Sequence, residues 1–294
     1  MKNSHAQGSD EISAVLFKSL INSLASTLSI LVNQSFSSGI FPDTLKISKV
    51  IPVFKSGDKT LPSSYRPISL VSVVSKLIEN LMFSRLSSFL DQQNILSSSQ
   101  FGFRKNSSTD MACFSVISRI QSLFDGRKSV AVVFLDISRA FDSVSHSILL
   151  DKLYKYGVRG TAYDWFHSYL HDRKQYVEVP DTVTGSSVSS ATLPVQTGVP
   201  QGSVLGPVLF LLYINDLPSS ITDATVNLFA DDTSAIISAD DPVRLSVKFN
   251  LVMSQLVDWL HSNKLSLNKD KTKIILFKNS SPPPALSTIV TPKN

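Results

Sequence analysis

Two adjacent carboxylates, Asp231 and Asp232, interrupt an otherwise apolar stretch, NLFADDTSAIIS (227–238). Neighbours in a strand point to opposite faces, so a strand running through both would send one charge into the core at a cost of several kcal/mol. A turn removes the conflict, because at a hairpin tip both carboxylates emerge at one end of the sheet and Asp is tolerated there. Taken alone, the pair reads first as an ordinary Asp-rich turn. Asp136 changes that. It stands at the C-terminal end of another apolar run, VAVVFL (130–135), and pairing the two strands gathers three carboxylates. Carboxylates so close repel and raise one another's pKa unless cations intervene. Hard oxygen ligands with no His or Cys among them suit Mg²⁺, expected as two ions, with Mn²⁺ as a substitute. Two such ions about 3.5–4 Å apart activate an attacking hydroxyl and stabilise a leaving phosphate, which is the chemistry of phosphoryl or nucleotidyl transfer.

The elements that must position these groups follow from the hydrophobic pattern. Apolar residues recur at helical spacing from Glu11 to Phe36, ahead of Gly39, and again in SVVSKLIENLMFSRLSSFLDQQ. Between them lie a short strand, Val50 to Phe54, and a basic, Pro-punctuated loop. SSTDMACFSVISRIQSLFDG predicts a helix capped by Ser108 or Thr109 and stopped by Gly126. VAVVFL is continuous and β-branched, the pattern of a central strand covered on both faces. Helices near Ser143–Tyr156 and Ala162–His171 precede a polar hairpin, and TGVPQGSVLGP opens the apolar helix VLFLLYINDL. Ala224–Ala230 and Thr233–Ser238 are the arms around the aspartates, Pro242–His261 is a further helix, KIILF a last strand, and SSPPPALSTIVTPKN a linker-like tail. No internal repeat is evident.

With 294 residues, 43% of them hydrophobic, the chain can bury a real core. One cysteine, Cys113, excludes a disulfide-stapled scaffold and points to a reducing compartment, with an intracellular location, nuclear or cytoplasmic, left open. The apolar run around Val208–Ile214 is too short to span a bilayer and the first residues lack a signal-peptide core, so no membrane partner is expected. Residues 136–258 hold 8 Lys or Arg against 14 Asp or Glu, while the flanking segments are basic and the whole chain is +5. An acidic middle between basic ends suits a cation site gripped by surfaces that hold a polyanion, although a chance spread of solvated charge gives the same totals. His167 and His171 have the i, i+4 spacing of a helical metal pair, but without an HExxH glutamate or cysteines they read as an exposed helix face. FKSGDKT lacks the spacing of a phosphate-binding P-loop, and no G-x-S-x-G elbow is present.

Six blocks then occur in a fixed order: YRPISLVSVVSKLIE, QFGFRKNSSTDMA, FLDISRAFDSV, GVPQGSVLGPVLFLLYINDL, FADD and LSLNKDKTKIILF. Through them, colinearly from about residue 10 to about residue 278, the chain resembles the reverse transcriptase domain of non-LTR, LINE-like retrotransposons, relatives of group II intron reverse transcriptases. The resemblance implies an α+β right-hand polymerase with fingers and palm, its antiparallel palm sheet packed on helices. Residues 1–130 would be an N-terminal extension and fingers, 131–278 a palm with some finger elements interleaved, and 279–294 a flexible tail. It also implies that Asp136 and Asp231 are the principal ligands of Mg²⁺, with Asp232 beside them, and that Phe141 lies under the sugar of the incoming nucleotide, where a rigid ring leaves no space for a 2′-hydroxyl. Lys55 and Arg66 match positions that contact the triphosphate. Arg104 matches the same pocket or the templating strand. Gly198, Pro200, Gln201 and Gly202 match a loop packed on the nascent base pair, and Lys271 a residue that protonates the leaving pyrophosphate. Taken singly, Lys55 and Arg66 read first as solvated surface charges and Phe141 as a core ring, while the glycines and Lys271 read also as parts of ordinary turns.

The implied activity is RNA-directed DNA polymerisation, with an RNA template, a DNA primer and dNTPs as partners, within a larger polyprotein. Arg139 stands where lysine is more usual, with charge kept. The sequence ends after KIILF and the Pro-rich tail, so the thumb and endonuclease regions are expected to be missing. A non-catalytic nucleic-acid-binding remnant is the alternative. A nucleotide cyclase on a similar palm would have no reason to carry the RPI and GVPQGS elements.

Overall fold

The computed structural model describes residues 4–180 and 185–277. In chain order its elements are α1 (Ala14–Ser38), β1 (Ile47–Phe54), β2 (Tyr65–Leu70), α2 (Val73–Gln92), α3 (Thr109–Asp125), β3 (Ser129–Leu135), β4 (Ile137–Ser138), α4 (His146–Lys155), α5 (Gly160–Leu170), β5 (Lys174–Pro180), β6 (Ser187–Ser189), β7 (Leu193–Pro194), α6 (Gly206–Ile214), α7 (Leu217–Ser220), β8 (Ala224–Phe229), β9 (Asp232–Ala239), α8 (Pro242–Ser262), β10 (Ser266–Leu267) and β11 (Lys273–Phe277). The expected tail, 279–294, lies outside the described residues. The chain folds as two compact units, Met1–Ile95 with Val144–Leu212, and Leu96–Ser143 with Tyr213–Asn294. The expected division at residue 130 falls inside β3 and the units interleave, because both strands that pair with β3 come from later in the chain.

In the first unit the strand order is β2-β1-β5-β6, with β7 also on β5. β1 runs antiparallel to β2, from Lys49↔Leu70 to Phe54↔Tyr65, but parallel to β5, from Ile47↔Lys174 to Val50↔Val177, so this sheet is mixed. The helix α1 starts on the hydroxyl of Ser13, which accepts from the Leu16 N–H, and stops at Gly39 in the left-handed conformation. Its C-terminal half docks on α5, where Trp165 Nε1 donates to Ser35 Oγ at 3.0 Å and Phe36 and Phe41 meet the indole edge-on. Phe17, Val32 and Ser35 are buried, whereas Leu16, Leu20, Leu24, Ile30 and Leu31 are exposed. By length and composition alone α1 is long and apolar enough to cross a membrane. Serines, threonine and asparagines break its apolar residues into short runs, yet Lys18 is its sole charged residue.

The GVPQGS loop is held from three directions within this unit. Gly198 N–H donates to Val144 O (2.7 Å), and its carbonyl faces His146 Nε2 (2.8 Å). The Ser69 N–H of β2 donates to Gln201 O (2.7 Å). From α2, buried Glu79 accepts the N–H groups of Val204 (2.7 Å) and Leu205 (3.2 Å) on one oxygen and the Ser75 hydroxyl on the other. A carboxylate at the start of α6 thus takes amides that the helix cannot satisfy itself. His167 and His171 stack at 4.0 Å, and His171 Nδ1 lies 2.9 Å from His167 O, so the pair closes the end of α5.

In the second unit the order is β11-β3-β9-β8, antiparallel throughout. Val130, Ala131, Val132 and Val133 are all fully buried, as expected for a strand covered on both faces. Val116, Ile120 and Leu123 of α3 pack on Val130, Val132 and Ile236, and α8 packs on β9 and β3. A short ladder joins β4 to β10. Among the described residues the fold is therefore α+β, with one mixed sheet, one four-stranded antiparallel sheet and the two-stranded β4-β10 ladder.

Burial is the main cause that holds the His146 imidazole below its usual pKa, with His171 and Arg173 adding to the effect, so the native ring resists a proton that the unfolded chain accepts. The contribution of His146 to native stability is then complete above about pH 6.5 and falls as pH drops below it. Urea unfolding midpoints are expected to decline from pH 7.5 to 5.5, with a shallower slope in His146→Gln. Equal slopes in the two chains would contradict this.

Candidate active site

The register of β3 against β9 runs from Ser129↔Ala239 to Leu135↔Thr233. Continued by one residue, it sets Asp136 opposite Asp232, and side chains directly opposed in an antiparallel pair point the same way. β8 closes on β9 through Phe229↔Asp232, leaving Ala230 and Asp231 as the turn, with Ala230 at φ +54°. Asp136, Asp231 and Asp232 therefore lie at one end of the sheet, with Asp232 the first residue of β9 where the sequence had placed it in the turn. Burial first, then the charges of Asp231 and Asp136, push the Asp232 carboxyl above its ordinary pKa.

Asp136 is also gripped from the β10 side. The pair Leu267↔Ile137 brings Asn268 alongside, where its backbone N–H donates to Asp136 O and its side-chain amide to Asp136 Oδ2, both at 2.8 Å. Lys271 Nζ lies 3.6 Å from the same Oδ2, and Thr272 ties the turn by donating to Asn268 O. Lys271 is thus a countercharge to Asp136 and remains half exposed. On the other side, residues 99–101 run along β8. The Phe101 N–H donates to Leu228 O and the Leu228 N–H to Ser99 O, both at 2.8 Å. The side-chain oxygen of buried Gln100 accepts from Gly102 N–H (2.7 Å) and from Ala230 N–H (3.0 Å), fastening this strap to the carboxylate turn itself.

The donor set, oxygen only and mutually repelling, suits a hard divalent cation. Among the described residues no group of three or more His, Cys, Asp or Glu side chains is arranged to hold a metal ion.

The remaining expected residues fall in two groups. In the second unit, Phe141 meets Phe103 edge-on at 6.5 Å, and Arg104 donates to Ser97 O (2.7 Å) and Gln100 O (3.4 Å), so part of its guanidinium braces the strap. In the first unit, Arg66 pairs with Val53, and the Lys55 N–H donates to Ser64 O where the hairpin continues. Lys55 and Arg66 are thereby diagonal neighbours, both exposed. At Gly202 (φ +118°) a Cβ would lie 2.6 Å from Ser69 O, so the glycine allows close approach to β2. Gln201 contributes its carbonyl to the same contact. Glu79, Gln100, Gly102 and Asn268 were not singled out from sequence, although all four lie in the quoted blocks.

A structure of apo telomerase from Candida tropicalis, truncated from its C-terminal domain, shares this fold, with a TM-score of 0.56 at 14% identity over 90% of this chain and 56% of that one. The family model described as reverse transcriptase (RNA-dependent DNA polymerase) matches residues 53–289, and the chain belongs to that family. It is 31% identical to the probable RNA-directed DNA polymerase from transposon BS of Drosophila melanogaster, over 90% of this chain and 29% of that protein. It is 30% identical to the corresponding protein of the Drosophila melanogaster transposon X-element, over 96% of this chain and 31% of that protein. The RNA-directed DNA polymerase of the mobile element jockey from the same fly is 27% identical over 93% of this chain. The chain thus spans about a third of the length of the curated relatives it matches.

A Cβ at position 102 would stand 2.3 Å from the Ala230 nitrogen, and backbone cannot yield as a flexible side chain does. Gly102→Ala is expected to destabilise by about 1–3 kcal/mol, the usual cost of overpacking, in urea unfolding. An unchanged midpoint would show that the strap is not fastened to the turn.

Proposed function

We propose that this chain is the fingers and palm of an RNA-directed DNA polymerase from a non-LTR retrotransposon, adding deoxynucleotides to a primer 3′-hydroxyl on an RNA template. The register that sets Asp136 opposite Asp232, with Asp231 in the adjoining turn, carries the proposal. Asp136, Asp231 and Asp232 would hold Mg²⁺, expected as two ions. Bound there, the metal supplies Lewis-acid stabilisation of the attacking and leaving oxygens.

The protein's own groups have separate tasks. Asn268 fixes one oxygen of Asp136 and leaves the other for a ligand. Lys271 neutralises Asp136 until nucleotide arrives and is the donor proposed for the leaving pyrophosphate. Lys55 and Arg66, side by side on one hairpin, are the proposed contacts of the triphosphate. Phe141 is the ring proposed to stand under the sugar and exclude a 2′-hydroxyl. Gln201 and Gly202 belong to the loop proposed to pack on the nascent pair, and Arg104 to its templating side.

Primer extension on RNA and on DNA templates, with Mg²⁺ and dNTPs, tests the proposal. Incorporation is expected on RNA, falling at least about 10²-fold in Asp231→Asn, in line with losses seen when a group stabilising transition-state charge is removed. Undiminished incorporation by Asp231→Asn would sink the assignment. Salt-sensitive binding of primer–template with no incorporation at any metal concentration would instead identify a non-catalytic nucleic-acid-binding chain.

A further inference from the structure

Phe103 combines features that core packing does not explain. Its backbone is left-handed, φ +52°, a conformation that bulky residues seldom adopt, and its side chain is 61% exposed. The residues just before it are pinned: Gly102 is packed against the Ala230 backbone, and Gln100 bridges Gly102 and Ala230. From that anchored strap the Phe103 ring turns to meet Phe141 edge-on, 6.5 Å between centroids and 85° between planes, a geometry in which aromatic pairs attract. An exposed ring held in an unfavourable backbone state by a strap bolted to the carboxylate turn gains little from burial. Strain of this kind persists where the surroundings over-determine it, and functional sites are where it gathers.

We infer that Phe103 is a positioning residue that sets the place of the Phe141 ring and thereby the discrimination between deoxyribonucleotides and ribonucleotides. The inference rests on Phe141 as the sugar-facing ring. Exclusion of a single hydroxyl depends on a wall that cannot retreat. Phe103 closes one side along which Phe141 could otherwise tilt, and the Gln100 strap refers that wall to the same turn that carries Asp231. Removing the Phe103 ring leaves the carboxylates and their partners untouched, so its effect falls on selection.

The test compares the unaltered chain with Phe103→Ala, Phe103→Tyr and Phe141→Ala, reading the ratio of Kd values for ATP and dATP with Mg²⁺ by displacement of a fluorescent dATP analogue. Where incorporation is measurable, the kcat/KM ratio is read in parallel. A second readout is the fluorine resonance of 4-fluorophenylalanine placed at position 141. Phe141→Ala is expected to lower discrimination by about 100-fold, the scale on which a pocket rejects or admits a hydroxyl, and Phe103→Ala by about 5–10-fold. Phe103→Tyr, which keeps the ring, is expected to retain the unaltered ratio, and Phe103→Ala to shift or broaden the fluorine line. If Phe141→Ala collapses the ratio while Phe103→Ala leaves both ratio and fluorine line unchanged, the inference is overturned and the role of Phe141 stands. If Phe141→Ala has no effect, or the unaltered chain does not discriminate, the role of Phe141 fails and the inference with it.

Discussion

The pairing of β3 with β9 is the interaction on which the site depends. A one-residue slip in an antiparallel pair turns every side chain to the opposite face. Here it would turn Val130 and Val132 away from α3 and move Asp136 out of line with Asp232. The register is secured on both sides of β3, by seven pairs with β9 and five with β11, and by helices over a strand whose residues 130–133 are wholly buried. The same apolar contacts that stabilise the unit therefore place its charges. Burial first, and then the neighbouring charges of Asp231 and Asp136, raise the Asp232 pKa, a local cost that the surrounding sheet sustains.

Around this end of the sheet, backbone and side-chain bonds do the positioning. Asn268 reaches Asp136 because β10 pairs with β4, and Gln100 reaches the turn because residues 99–101 lie along β8. Both partners are neutral amides. They fix geometry without adding charge, which leaves the electrostatic balance to Lys271 and to whatever cation or phosphate the site takes up. In the first unit Glu79 has a comparable part, holding the start of α6 and with it the GVPQGS loop, itself tied to Ser69 and His146.

Much of this was legible in the residues. Alternating and continuous apolar runs located β3, β8 and β9, and the impossibility of burying adjacent aspartates located the turn between them. Ser108, Gly39 and the start of α8 follow capping chemistry that short windows reveal. What remained hidden has a common cause. Parallel pairing of β1 with β5 joins residues more than a hundred positions apart, and nothing in QYVEV specifies a partner at Ile47. Gln100 and Asn268 were conspicuous only as members of quoted blocks, since their hydrogen bonds exist only once distant strands have met. The close approach of Gly202 to Ser69 O likewise depends on a strand more than a hundred positions away. α1 was read from its helical spacing, although serines and asparagines divide its leucines into short runs that a helix sums over 25 residues.

The central claim is that Asp136 and the Asp231–Asp232 turn share one divalent-cation site. Replacing Mg²⁺ by Fe²⁺ and generating hydroxyl radicals at the bound metal cuts the backbone nearest to it, and mass spectrometry maps the cuts. Cleavage is expected at both residue 136 and residues 231–232, suppressed by excess Mg²⁺ and lost at both places in Asp136→Asn. Cuts at one place alone, or cuts at both that survive Asp136→Asn, would contradict a shared site.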